Sequence, residues 1–462
     1  MNQYQNHLPT SGKKTPPFAS GKETQLLRVI QKALFTGALA SIGHIGILLE
    51  AVNAGPPPAV GSAAQLAPTL EDSPKAIVDE VWQIVNRDYV DGDFNKVDWQ
   101  AVRTDLLSRD YSSPAAAYAA VREALSKLDD PYTRFLDPEQ YQTLTSKTAG
   151  ELSGVGIKLG VNENQRLVVV EPIENSPAAA AQLEAGDEIV AIDDRLTTGM
   201  KVEEASKLIR GPLGTSVKLR ISRMGQEEFD VNLTRARIEV AAVHYSLKEE
   251  GATKVGYIQL DEFSSHAPEQ MLRAIGDLSA KGAQAFVLDL RGNPGGLLYA
   301  SVEIAKMWLD GGTIVSTVDR QGDSIEFKAE PQPGIAFAPP VFKMPLAVLV
   351  DGNSASASEI LAGALKDNAR ATIIGTQTFG KALVQSVHGL SDGSGLAVTI
   401  AHYYTPNGTD ISHKGITPDI TINPNSALTP QTVATKDDPW YVTAINNLRA
   451  QITPAPLANT DN

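Results

Sequence analysis

The chain contains no cysteine. That absence removes thiol catalysis, disulfide bonds and thiolate metal sites together, while leaving the redox compartment open. Concentrated runs of lysine and arginine are missing too. Acidic residues number 54 against 40 basic ones, for a formal net charge of −14. A nucleic-acid binder carries a basic patch or stripe, so no nucleic-acid partner is expected, and the acidity speaks only for solubility. The seven histidines show no HExxH or similar spacing, so nothing favours a zinc site or a Ser-His-Asp triad, although spacing alone leaves both open. The apolar run that stands out, 33–49, is slightly shorter than the about 20 residues that cross a bilayer.

That run follows a polar stretch carrying Lys13, Lys14, Lys22, Arg28 and Lys32, and it leads to Val52-Asn53-Ala54. A charged start, an apolar centre and small residues at the end form the pattern of an export signal. The Pro-, Ala- and Gly-rich stretch after it reads as a linker. Residues 1–54 are therefore expected to be an export segment and 55–72 a linker. The apolar run leaves room for transient membrane association, and cleavage near Ala54 is the preferred outcome.

The full length of 462 residues, with 42% hydrophobic and 20% charged residues, is ordinary globular composition. It suffices for about two to four domains with their own cores. From Ser73 to about Tyr111 apolar residues recur at helical spacing behind a Ser-Pro start, and 114–128 gives a further helix that stops at Asp129-Asp130-Pro131. From Leu152 to Ile238 short strands are expected at 155–159, 167–170, 188–192, 216–223 and 228–233, with helices at 178–183 and 202–209. Beyond Lys254 strands (255–260, 285–290, 313–318, 346–350, 372–374) alternate with helices (267–280, 297–309, 359–367). Such alternation predicts a layered α/β core on a largely parallel sheet. The last thirty or so residues are polar and Pro-rich, and are expected to pack loosely.

Ligands of α/β sheets gather at the carboxyl ends of the strands, and three such ends carry candidate chemistry. The first is the turn 289–296, ending in Gly295-Gly296, whose backbone amides could point at a developing anion; alone, it is as readily a tight turn. In the second, Ser354-Ala355-Ser356-Ala357-Ser358-Glu359, a serine sits at a helix start beside free N–H groups. Yet Ser356 with Glu359 three residues on is also a capping box, which requires no catalysis. The third is Thr378-Phe379-Gly380-Lys381. A lysine acting as base near neutral pH must lose about 3 pKa units through desolvation. Phe379, Leu383 and Val384 could supply the burial, and Gln385 could hold the lysine.

Together these segments resemble the carboxyl-terminal processing peptidases, including the chloroplast and cyanobacterial enzymes that trim photosystem II precursor tails. ASASEILAGALKDN (355–368) and TFGKALVQ (378–385) carry the likeness, along about Pro74 to Ile420. The resemblance implies a Ser-Lys endopeptidase that needs no metal or other cofactor, with Ser356 as nucleophile, Lys381 as base twenty-five residues on, and Gln385 in support. It implies oxyanion donors at the Gly296 and Ala357 amides with Gly295 adjacent, and supporting carboxylates at Glu359 and Asp367. Where the family commonly has a second glycine after the lysine, this chain has Ala382. The stretch 152–238 resembles a PDZ domain, with Gly154, Val155, Gly156 and Ile157 in the loop that captures a substrate's carboxyl terminus.

The expected fold is thus a layered α/β protease core, 239–430, with an inserted PDZ domain, 152–238, a small helical N-terminal region, 73–150, and a C-terminal tail, 431–462. The expected partners are carboxyl-terminal tails of protein substrates, in the periplasm or thylakoid lumen. The competing reading is a non-catalytic PDZ-containing scaffold.

Overall fold

A computed structural model of the chain describes residues 73–330, 343–422, 429 and 431–452. The expected export segment and linker lie outside the described residues. Helices α1 (Pro74–Asp88), α2 (Trp99–Ser108) and α3 (Pro114–Ser126) come first. Ser73 and Ser113 cap α1 and α3 ahead of a proline in the first turn, where proline's missing N–H costs nothing. A short strand, β1 (Arg134–Leu136), leads to α4 (Pro138–Ala149), which starts on an Asp137/Gln140 capping box and stops at left-handed Gly150.

The β-rich domain runs through β2 (Glu151–Gly154), β3 (Ile157–Val161), β4 (Leu167–Pro172), α5 (Pro177–Ala180), β5 (Glu188–Ile192), β6 (Arg195–Leu196), α6 (Val202–Ile209), β7 (Ser216–Ser222), β8 (Phe229–Thr234) and β9 (Ala236–Glu239). Strands β2 and β9 pair antiparallel as its neck. The remaining strands order as β3-β4-β5-β7-β8, which leaves β3 at an edge.

The core follows as β10 (Val243–Glu250), β11 (Thr253–Leu260), α7 (Ala267–Ala280), β12 (Ala285–Asp289), α8 (Leu298–Trp308), β13 (Thr313–Asp319), β14 (Ser324–Lys328), β15 (Leu346–Val350), α9 (Ala357–Asp367), β16 (Thr372–Gly375), β17 (Leu383–Gly389), β18 (Gly395–Tyr404), β19 (Ile420–Thr421) and α10 (Pro439–Ile452). Its main sheet orders as β10-β11-β12-β15-β16-β19, parallel from β11 onward with β10 an antiparallel edge. Every residue of β12 and β15 is buried, as a strand covered on both faces requires. Met271, Ile304 and Leu361 belong to the cluster on one face, which α7, α8 and α9 cover.

The other face departs from expectation. The polar C-terminal stretch is not a loose tail throughout: α10 docks Tyr441, Ala444, Ile445 and Leu448 against Val255, Val287 and Leu349. Its apolar residues are spaced at helical period, and the burial of that stripe outweighs the surrounding polar composition. A second departure is β13, expected in the parallel sheet. It belongs to a separate antiparallel sheet, β1-β18-β13-β14 with β17 on β18. A short apolar run encodes burial but not its partner. Helices α1–α3 pack on this second sheet, where Leu396, Val398 and Ile400 join their cluster.

Candidate active site

The loops leaving β12, β15 and β16 at their carboxyl ends converge. After β12, Asn293 is fully buried and organises the turn: its side chain donates to Leu260 O at 2.7 Å and accepts from Gly295 N at 2.9 Å. Its carbonyl accepts Ala355 N at 3.1 Å and Ser358 Oγ at 2.9 Å, tying the glycine turn to the segment carrying Ser356. The two segments meet closely. A Cβ on Gly295 would lie 2.9 Å from both Ala357 N and Ser356 Cβ, at a φ of +101°, so only glycine fits.

Ser356 begins α9 at φ 55°, ψ −112°, a strained conformation for a residue bearing a Cβ. The Gly296 and Ala357 N–H groups have no acceptor among the described residues. The Gly295 N–H is already committed to Asn293 Oδ1. Unclaimed amides at Ala357, next to Ser356 at a helix N-terminus, and at Gly296, next to the Gly295 that abuts Ser356, make a site able to receive an oxyanion.

Glu359, fully buried, joins this element to the third loop. Its Oε2 accepts Ser356 N at 2.8 Å and Lys381 N at 2.9 Å, and its Oε1 accepts Thr378 Oγ1 at 2.6 Å and Gly380 N at 2.7 Å. The capping pair and the serine-lysine pair thus share one carboxylate. From β18, the buried Tyr403 hydroxyl reaches the carbonyls of Ser356, at 3.2 Å, and of Lys381. Amides and carbonyls of the same two residues are therefore held by one carboxylate and one phenol.

The Lys381 side chain has no hydrogen-bond or ion-pair partner among the described residues. Its Nζ lies over the Tyr132 ring, 4.5 Å from the centroid. Burial lowers its pKa from the ordinary lysine value, Arg134 adds to that, and Asp130 and Glu359 oppose it. Of the residues expected to bury it, Leu383 and Val384 are half-buried, whereas Phe379 is 56% exposed. The segment after α3, expected only as a helix stop, brings Asp130, Tyr132 and Arg134 to the lysine as well. Asp130 accepts Tyr132 N at 2.9 Å and the hydroxyls of Thr133 and Thr399 at 2.7 Å each.

Gln385, on β17, donates to Thr399 Oγ1 at 3.5 Å and so belongs to the Asp130 network, without a bond to Lys381. Asp367 sits at the far end of α9 from Ser356, holding Thr405 Oγ1 at 2.6 Å and Asn407 N at 3.0 Å. It anchors the turn after β18, and Glu359 alone of the two carboxylates reaches the serine and lysine. In the β-rich domain, Gly154, Val155, Gly156 and Ile157 form the bend between β2 and β3. Gly156 has a φ of +80° and no room for a Cβ against Ser176. They line a cleft of about 70 Å³ with Ile209 and Arg210 of the α6 end.

No helix among the described residues is long and apolar enough to cross a membrane. Comparison with known proteins gives a match of residues 254–422 to "Peptidase family S41" and of residues 143–222 to "PDZ domain". A carboxyl-terminal-processing protease of Picosynechococcus is 46% identical over 74% of this chain and 81% of its own length. That of Synechocystis is 40% identical over 86% and 88%. A solved photosystem II D1 C-terminal processing protease is 36% identical, covering 76% of this chain and 94% of its own, with a TM-score of 0.49.

Proposed function

We propose, from the premise that this chain belongs to the PDZ-containing carboxyl-terminal-processing serine peptidases of family S41, that it cuts exported proteins near their carboxyl termini by a Ser356-Lys381 mechanism. The observation that carries the mechanism is the pair of unclaimed amides, Gly296 and Ala357, beside a serine whose backbone shares Glu359 and Tyr403 with the lysine. Neutral Lys381 takes the Ser356 Oγ proton as Oγ bonds to the scissile carbonyl carbon, and the carbonyl electron pair moves onto oxygen between the two amides. The lysine ammonium then protonates the leaving amine, and water repeats the sequence on the acyl-enzyme. Gln385 supports the lysine's pocket through Thr399.

Substrate tails are read by strand addition at the free edge of β3, with the carboxylate on the 154–157 bend and apolar side chains in the cleft toward α6. The cyanobacterial origins of the relatives support the periplasm or thylakoid lumen as the place of action, and the resemblance to enzymes that trim photosystem II precursors makes such tails one substrate class. A non-catalytic scaffold has no use for a strained serine at a helix start near two unclaimed amides.

The test is incubation with an unstructured protein bearing an apolar carboxyl-terminal tail, with cut sites mapped by mass spectrometry. The parent should cut, whereas Ser356→Ala and Lys381→Ala should not. Variants that cut as well as the parent would show the chemistry lies elsewhere.

A further inference from the structure

Lys381 Nζ, the atom that takes up and returns the proton in the proposed reaction, lies over the face of the Tyr132 ring, 4.5 Å from its centroid. An aromatic face carries negative potential and attracts a cation lying over it, most strongly where water is excluded. The charged groups around the lysine come from separate elements. Asp130 and Arg134 flank Tyr132 before and within β1, and Glu359 rises from α9. Both carboxylates are heavily occupied: Glu359 by four donors, Asp130 by one backbone amide and two hydroxyls. The ring has no such competing duty. Tyr132 itself is fixed by the bond from its N–H to Asp130 Oδ1 at 2.9 Å.

We propose that the Tyr132 ring face is the electrostatic partner of Lys381, receiving the ammonium formed when the lysine takes the Ser356 proton. The inference rests on the Ser-Lys reading above and assigns to the N-terminal region a part in the chemistry. While Ser356 Oγ–H breaks and Oγ–C forms, positive charge grows on Nζ over the ring as negative charge grows on oxygen between Gly296 and Ala357 N–H. The ring takes up the first of these charges without forming a hydrogen bond, so Nζ stays free to return its proton to the leaving amine. An acidic partner in the same place would hold the proton and pin the lysine in its charged form. Burial and the ring act in opposite directions on the lysine, burial favouring the neutral base and the ring the charged acid. A group that must be both in one cycle needs this balance.

The experiment compares the full chain with Tyr132→Phe, Tyr132→Leu and Lys381→Ala, following hydrolysis of an internally quenched peptide with an apolar carboxyl terminus across pH 5 to 10. Phenylalanine keeps the ring face, so its acid limb should stay with the parent's. Leucine keeps apolar bulk without the face. The ammonium loses its partner, and the acid limb should move down by about 1 pH unit while the plateau rate falls about tenfold. A second readout needs no turnover. In the Ser356→Ala background, acylation of Lys381 by an amine-reactive ester, located by mass spectrometry, should show the same downward shift with leucine and none with phenylalanine. An unmoved limb and unmoved acylation profile in Tyr132→Leu, with Lys381→Ala inactive, overturn the inference alone. Full activity in Lys381→Ala overturns the Ser-Lys reading and the inference with it.

Discussion

Four donors converge on the buried Glu359 carboxylate, and three of them are backbone amides belonging to Ser356, Gly380 and Lys381. A carboxylate suits this task because both oxygens accept and neither donates. Glutamine in its place would turn an NH2 toward two of the donors, leaving buried N–H groups facing another N–H. Glu359→Gln should therefore destabilise the fold by about 2–4 kcal/mol. It should also lower kcat by about 100-fold, because Ser356 and Lys381, the proposed nucleophile and base, lose their common anchor. Thermal melting and steady-state rates check both, and a variant matching the parent in each would refute the anchoring role. Part of this was legible in the residues themselves: Ser356 and Glu359 announce a capping pair three apart. That the same carboxylate also holds Lys381 was not legible, because the contact joins positions far apart in the chain through a turn whose path the local pattern leaves open.

At the scale of elements, β18 matters for what it presents to the other two loops. Its Tyr403 hydroxyl donates toward the carbonyls of Ser356 and Lys381 from a ring that is 1% exposed. Burial raises its pKa well above the ordinary tyrosine value, so it remains a protonated donor throughout the working range. Tyr403→Phe keeps the packed ring and removes only the hydroxyl. It should cost about 1–2 kcal/mol of stability and lower kcat about tenfold with KM unchanged, since substrate contacts are untouched. An unchanged kcat would leave the phenol a structural filler. The strands β17 and β18 were absent from the sequence expectation altogether, whereas 188–192, 202–209, 267–280 and 346–350 agree in both bounds with β5, α6, α7 and β15. The difference is physical. The latter elements carry a dense apolar face or run, often with clear punctuation. Strand β18 is interrupted by polar residues such as Thr399 and His402, and it is stabilised by partners on both sides, β17 along one edge and β1 and β13 at successive positions along the other. Pairing of that kind is a tertiary fact that no local window displays. Tyr132 escaped notice for a related reason, since Asp129-Asp130-Pro131 explains itself fully as a helix stop.

Across the whole molecule, the carboxyl-terminal helix braces the glycine turn after β12 from the far side of the sheet. Asp438 is fully buried and caps α10, accepting Trp440 N at 3.1 Å and Tyr441 N at 3.2 Å. The same carboxylate grips Arg291 with bonds of 3.0 and 2.9 Å. Arg291 is the residue after Leu290 in the loop that ends in Gly295 and Gly296, and it is also held by Asp289 at the end of β12. Its guanidinium lies over the Trp440 ring, 5.3 Å from the centroid. One arginine therefore couples the docking of residues 434–452 to the placement of the glycine turn. Asp438→Ala removes the cap and one of the two carboxylates from a buried charge, leaving Asp289 to carry it alone. Loss of one partner from such a network costs about 3 kcal/mol, and the cap adds about 1. The variant should melt well below the parent. At temperatures where it is still folded it should turn over substrate more slowly with KM little altered, because the Gly296 amide, the proposed oxyanion donor, is less firmly placed. If Asp438→Ala melts with the parent, α10 is held by its apolar face alone. If it melts early but keeps the parent's kcat while folded, the helix stabilises the sheet without bracing the glycine turn.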